Sequence, residues 1–178
     1  LARGMTLKIA LDMTRDIRQT TDIPMILFSY YNPIHAYGNR KFYTDAVNAG
    51  ADGVLIVDLP PEESDEMTNT WTGKDLSLIR LIAPTTPKER MKQIADSASG
   101  FLYLVSKTGV TGSAGLNTSE VGTHVKTLRS VSNLPICVGF GISTADDVRA
   151  VAKVADGVVI GSAYEKLIEE NLTHHDLP

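Results

Sequence analysis

Short apolar runs rich in β-branched and aromatic residues alternate along this 178-residue chain with stretches of helical period. No other feature restricts its fold as strongly. The runs begin near Pro24 (PMILFSYY), Gly53 (GVLIVDLP), Leu76 (LSLIRLIAP), Phe101 (FLYLVSK), Leu134 (LPICVGF) and Gly157 (GVVIGSA). Most are continuously apolar, as expected of strands buried on both faces of a parallel sheet. Between them the period becomes 3.6. Met91, Ile94, Ala95 and Ala98 make one apolar stripe, and Val148, Val151, Ala152 and Ala155 another. Ile9, Met13 and Ile17 predict a similar helical stripe at the start. Thr86-Pro87 reads as an N-cap followed by proline in the first helical position. Ser143 reads as a second N-cap before an acidic first turn, Thr144-Ala145-Asp146-Asp147.

The expected order is a helix, five strand–helix units, a sixth strand and a closing helix from about Tyr164. Successive strand starts lie roughly 27 residues apart, the size of a βα unit. Ala51-Asp52-Gly53-Val54 recurs as Ala155-Asp156-Gly157-Val158, each time between helix and strand. Asp-Gly is expected to supply the turn in both places. No linker or low-complexity tract interrupts the pattern, so residues 1–178 are expected to form a single domain. Alternating βα units permit an open doubly wound sheet or a closed (β/α)8 TIM barrel. A barrel typically takes about 250 residues. The chain therefore reads as an open six-stranded sheet or as strands 3 to 8 of a barrel, the first two βα units missing.

Composition narrows the function. Lys and Arg number 17 against 21 Asp and Glu, a formal charge of −4, so no basic face is available for nucleic acid. With 43% apolar and 21% charged residues the chain is expected to fold. A single cysteine excludes a disulfide framework and a Cys-rich zinc site. No metal site is expected. No run of about 18 apolar residues predicts a membrane helix, and no secretory signal is visible, so the expected location is cytoplasmic.

Two glycine clusters fall at strand ends: Gly139-Phe140-Gly141-Ile142-Ser143 and Gly161-Ser162-Ala163. Glycine lets the backbone approach an anion, and the N–H groups opening the next helix can bind phosphate. In phosphate-binding barrels such a site follows the seventh and eighth strands, which is where these clusters fall if two strands are missing in front. A dinucleotide fold fits less well, because Gly139-Phe140-Gly141 lacks the third glycine of G-x-G-x-x-G and lies late in the chain. The segment from Ser106 to Gly115 (SKTGVTGSAG) is long for a βα loop and has the composition of a lid, or of an ordinary loop.

Several segments, in order, resemble the tryptophan synthase alpha subunit family. They are Ala51–Pro60 with Glu62-Glu63, Tyr103–Gly112 (YLVSKTGVTG), Gly139–Ser143 (GFGIS) and Ala155–Ala163, with Tyr30-Tyr31-Asn32-Pro33 after the first run. The resemblance implies a (β/α)8 barrel that cleaves indole-3-glycerol phosphate to indole and glyceraldehyde 3-phosphate. It also implies a partner, the beta subunit, which carries pyridoxal phosphate, while this subunit carries no cofactor. By the resemblance, Gly112, Gly141, Gly161 and Ser162 hold the substrate phosphate, and Thr111 belongs to a closing lid. Tyr30, Tyr103 and Phe140 line the indole and glycerol pocket. The family's two catalytic carboxylates precede the segment matched by Leu1, so no catalytic residue is assigned, and the 178 residues alone are expected to be inactive. Ser113-Ala114-Gly115 is less polar than the family's lid.

The other chemically interesting residues read more plainly. Asp58, at a strand end, reads as a loop carboxylate that accepts backbone hydrogen bonds rather than as a catalytic acid. Cys137 reads as a core residue. His35, His124, His174 and His175 show no ligand spacing, and Trp71 is expected to pack in a helix–strand connection. The run from Glu62 to Glu66 reads as an acidic helix start. Two other functions stay open on sequence: a different phosphate-binding barrel enzyme, such as an isomerase or synthase, and a non-catalytic binding subunit.

Overall fold

The computed structural model describes residues 4–106 and 118–172. The chain divides into two compact units, Leu1–Leu81 with Gln93–Gly100, and Ile82–Lys92 with Phe101–Pro178. Both are α/β with parallel strands.

The first unit runs α1 (Leu7–Arg18), β1 (Ile26–Ser29), α2 (Tyr31–Tyr37), α3 (Asn39–Ala49), β2 (Gly53–Ile56), a 3-10 turn (Pro61–Glu63), α4 (Ser64–Thr68) and β3 (Ser77–Ile82). β1 pairs with β2 through Ile26↔Gly53, and β2 with β3 through Val54↔Leu78, both parallel. Gly38, with φ of +97°, separates α2 from α3, so the expected single helix is two. Val54, Ile56 and Leu78 join Leu11, Phe42, Ala46 and Met67 in one buried cluster, which packs the helices on one sheet face. Trp71 borders that cluster, stacked on Tyr43 at 5.2 Å.

α1 corrects one expectation. Its buried residues are Leu11 and Thr14, while Ile9, Met13 and Ile17 are 42%, 49% and 47% exposed. The predicted stripe exists, but the helix turns a different face to the core.

The second unit contains β4 (Leu102–Val105), α6 (Thr118–Arg129), β5 (Ile136–Gly139), α7 (Ala145–Ala152), β6 (Gly157–Val159) and α8 (Ser162–Glu170). β4 pairs with β5 through Tyr103↔Cys137, and β5 with β6 through Val138↔Val158, again parallel. Before it in sequence comes α5 (Lys88–Asp96), in which Met91 and Ala95 are buried; Ala98 of the predicted stripe lies past its end. Two caps lie one residue later than expected. Met91 N donates to Pro87 O at 2.8 Å, so Pro87 rather than Thr86 accepts the first helical bond of α5. Thr144, not Ser143, caps α7, in a reciprocal box with Asp147 that satisfies two orphan N–H groups.

The repeated Ala-Asp-Gly-Val has a physical basis beyond a turn. Asp52 Oδ2 accepts Met25 N at 2.7 Å, and Asp52 N donates to Met25 O at 2.9 Å. Asp156 Oδ2 accepts Ile136 N at 2.9 Å, and Asp156 N donates to Ile136 O at 2.9 Å. An arginine ending the helix before the earlier strand binds each carboxylate: Arg18 Nη2 to Asp52 at 2.5 Å and Arg129 Nη2 to Asp156 at 2.9 Å. Each aspartate thus fastens the start of one strand to the approach of the next. The glycines that follow open β2 and β6 instead of forming the turn. A Cβ on Gly53 would lie 2.7 Å from Ile79 Cδ1, and one on Gly157 would lie 2.6 Å from Cys137 Sγ.

β3 carries a buried charge. Arg80 is 2% exposed and donates to Leu59 O at 2.7 Å and to the Ser64 hydroxyl, while its Nε has no partner. Burial pulls its pKa down to about 10.

The Ile136 N–H, with help from Arg129, holds the Asp156 carboxyl below the usual carboxylate range. A lowered folded pKa contributes stability that is present above the ordinary carboxylate value and lost as pH falls through the folded one. Asp156→Asn is therefore expected to lower stability at neutral pH and to flatten its decline down to about pH 3. Urea unfolding midpoints across that range check this, and parallel acid profiles for the two proteins would contradict it.

Candidate phosphate and aromatic site

In the second unit, side chains alternate along β4 and β5. Leu102, Leu104, Ile136 and Val138 are fully buried. Tyr103, Cys137 and Gly139 take the intervening positions and so share the opposite face. Tyr103 crosses directly over Gly139: a Cβ there would lie 2.1 Å from Tyr103 Oη. Only glycine leaves room for the phenol. Burial raises the pKa of Tyr103, so it remains a neutral phenol able to donate a hydrogen bond. Burial also raises the Cys137 thiol, which is half-buried beside this ring rather than within the core as expected.

Past β5 the chain turns sharply. Phe140 has φ of +79° and Gly141 φ of +71°. Gly141 takes that conformation freely, whereas in Phe140 it costs about 1–3 kcal/mol. Two contacts hold Phe140 in place. Its ring meets Tyr103 edge-on, with centroids 6.1 Å apart and planes at 85°. Its carbonyl accepts from the Ser106 hydroxyl, which also reaches Gly139 O at 2.8 Å. Ser106 N donates to Gly139 O at 2.8 Å, continuing the ladder one step past β4.

Past β6, Gly161 and Ser162 open α8. No side chain caps this helix, and a Cβ on Gly161 would meet nothing within 4 Å. Its first N–H groups and the positive end of its dipole suit an anion. β5 and β6 are paired neighbours, so Gly141 and the start of α8 follow adjacent strand ends. Tyr103, Phe140, Gly141, Gly161 and Ser162 thus all belong to the second unit. Thr111 and Gly112 lie outside the described residues, as do residues 107–115 of the segment expected to be a lid or an ordinary loop.

Tyr30 belongs to the first unit, exposed at the N-cap of α2. Nearby, Asp58 Oδ1 accepts Tyr31 N at 2.7 Å, the backbone role expected for it. His35 Nδ1 lies 3.4 Å from Glu66 Oε1. Among the described residues no group of three His, Cys, Asp or Glu side chains could hold a metal, and no helix is long and apolar enough to cross a membrane. Sequence reasoning missed the role of Ser106, because nothing local marks a residue whose partners are 33 and 34 positions away.

Parallel strands alternating with helices, with glycine-rich turns beyond β5 and β6, define an α/β protein built of βα units. The pattern that defines the tryptophan synthase alpha chain matches residues 1–177. The tryptophan synthase alpha chain of Desulfatibacillum aliphaticivorans is 60% identical over 177 residues, 99% of this chain and 67% of that protein. The crystal structure of the alpha subunit from Legionella pneumophila (strain Paris) superimposes with a TM-score of 0.85 at 39% identity, over 100% of this chain and 66% of that one. A chain from a structure addressing mutual activation of the tryptophan synthase α2β2 complex of Pyrococcus furiosus superimposes with a TM-score of 0.84 at 35% identity, over 96% of this chain and 69% of that one. The chain belongs to the tryptophan synthase alpha chain family and spans about two thirds of the length of these relatives. The family is one of lyases in tryptophan biosynthesis, and its pyridoxal phosphate belongs to the beta subunit.

Gly139→Ala is expected to displace Tyr103 from its edge contact with Phe140 and to cost about 1–3 kcal/mol of stability through overpacking. Chemical denaturation measures the loss. A variant as stable as the parent would show that the ring has room to move.

Proposed function

We propose that this protein acts as the alpha subunit of tryptophan synthase, cleaving indole-3-glycerol phosphate to indole and glyceraldehyde 3-phosphate beside a beta subunit. The observation that carries this reading is the uncapped α8 start beside the Gly141 turn, in a chain 60% identical to a tryptophan synthase alpha chain. Gly141, Gly161 and Ser162, together with Gly112, hold the phosphate through backbone N–H groups. Such binding needs no lysine or arginine, in keeping with the net charge of −4. Tyr103 and Phe140 supply an aromatic wall for the indole, and the family resemblance assigns Tyr30 to substrate binding and Thr111 to the lid. The setting is cytoplasmic, which a role in amino-acid biosynthesis supports.

Cleavage of the carbon–carbon bond needs a proton delivered to the indole ring carbon and a base for the glycerol hydroxyl. We assign both tasks to carboxylates of the family's first two βα units, outside residues 1–178. Asp58, engaged with the Tyr31 N–H, takes neither. The assay is indole release from indole-3-glycerol phosphate by the intact subunit, with and without beta subunit. Indole is expected in both, and none in either would overturn the reading. Gly161→Asp, which sets a carboxylate against the anion, is expected to abolish phosphate binding and release; unchanged affinity would count against the cradle.

Residues 1–178 belong, in the same proposal, to one domain comprising strands three to eight of a (β/α)8 barrel. Uncovered apolar groups on the outermost elements support this: Ile9, Met13 and Ile17 on α1, Ile26 and Phe28 on β1, and Leu167 and Ile168 on α8. In the intact subunit these faces meet further elements. Met13→Asp there is expected to cost about 1–3 kcal/mol, against about 0.5 kcal/mol or less for a solvent position. A thermal unfolding midpoint equal to that of the parent would remove this support.

A further inference from the structure

We propose that Ser106 is the positioning residue of the anion cradle: by holding the Phe140 carbonyl toward β4, it turns the Gly141 N–H toward the β6 side, where the uncapped start of α8 lies. The proposal rests on the phosphate reading above and adds to it a residue that does not touch the anion.

The geometry follows from the planar trans peptide. No cis bond is present among the described residues, so the Phe140 C=O and the Gly141 N–H point in opposite directions. β5 lies between β4 and β6. The Ser106 hydroxyl, one residue past β4, takes the Phe140 carbonyl on the β4 side. The Gly141 N–H is thereby directed away from β4. Ser106 N and Oγ both reach Gly139 O at 2.8 Å, so the serine is anchored to the strand end whose turn it sets. Its one hydroxyl proton is shared between the Gly139 and Phe140 carbonyls.

Such a brace is needed because the turn is strained. Phe140 is the non-glycine residue with positive φ among the described residues. A residue in that region keeps its conformation only where its surroundings over-determine it. The edge contact with Tyr103 fixes the ring, but a ring contact leaves the following peptide plane free to rotate. The Ser106 hydrogen bond fixes that plane. Phosphate affinity therefore depends on a hydroxyl on the far side of β5.

The test uses the intact alpha subunit assembled with beta subunit, with inorganic phosphate as the probe. Ser106→Ala is expected to weaken phosphate inhibition about tenfold and to raise KM for indole-3-glycerol phosphate by a similar factor, with kcat changed less than threefold. Ser106→Thr keeps the hydroxyl and is expected to restore both values to within about twofold. Ser106→Cys, a weak donor of similar size, is expected to fall between them, and it serves alongside Thr should the alanine variant not fold. Unchanged phosphate inhibition in Ser106→Ala, or equal losses in the Thr and Ala variants, would overturn the proposal. So would a Cys variant that matches the parent. A parent enzyme that forms no indole would instead overturn the functional reading on which the proposal rests.

Discussion

Tyr103 lies across the backbone of β5, and the space its phenol fills exists only because residue 139 has no side chain. Glycines in two other strands leave similar room: Gly53 for Ile26 and Ile79, and Gly157 for Cys137. The aromatic half of the site follows from that arrangement. Gly139 admits Tyr103, Tyr103 meets Phe140 edge-on, and Phe140 leads into the turn that presents Gly141. A methyl group at the first of these positions disturbs all the others.

The same steric logic separates two kinds of glycine in the chain. Gly38, Gly50 and Gly141 are needed for backbone conformations that other residues rarely adopt. Gly53, Gly139 and Gly157 have ordinary strand geometry and are needed for the volume they leave empty. Gly161 belongs to neither class, since a side chain there would enter open space. That space is what an anion at the start of α8 requires.

Much of the fold was legible in the sequence, because buried parallel strands leave continuous apolar runs. All six observed strands start within two residues of their expected positions, with β2 and β6 opening on the glycines named. Helix faces were read less well. Ile9, Met13 and Ile17 lie on one side of α1, as their spacing says, yet periodicity reports a face and not what covers it. The caps of α5 and α7 slipped by one residue because Thr86-Pro87 and Ser143-Thr144 each offer two reasonable starting points. In the site, the placement of the glycine clusters just past β5 and β6 was legible because turns at strand ends have a local signature. The left-handed Phe140 was not, since an aromatic residue is the last to be expected there, and neither was Ser106, whose meaning depends on the register of β4 with β5.

The paired aspartates also bear on how such a sheet assembles. Parallel strands cannot be joined by a tight turn, so their pairing closes long loops and tends to form slowly. Asp52 reaches back only 27 residues to Met25, and Asp156 only 20 to Ile136. Each contact spans a single strand-to-strand connection, and the arginine that ends the helix before the earlier strand, Arg18 of α1 or Arg129 of α6, adds an ion pair to it. The register of β1 with β2 and of β5 with β6 is thereby fastened by contacts that are short in sequence. What looks in the finished molecule like a pair of surface ion pairs is, in each case, a stitch between one strand and the next.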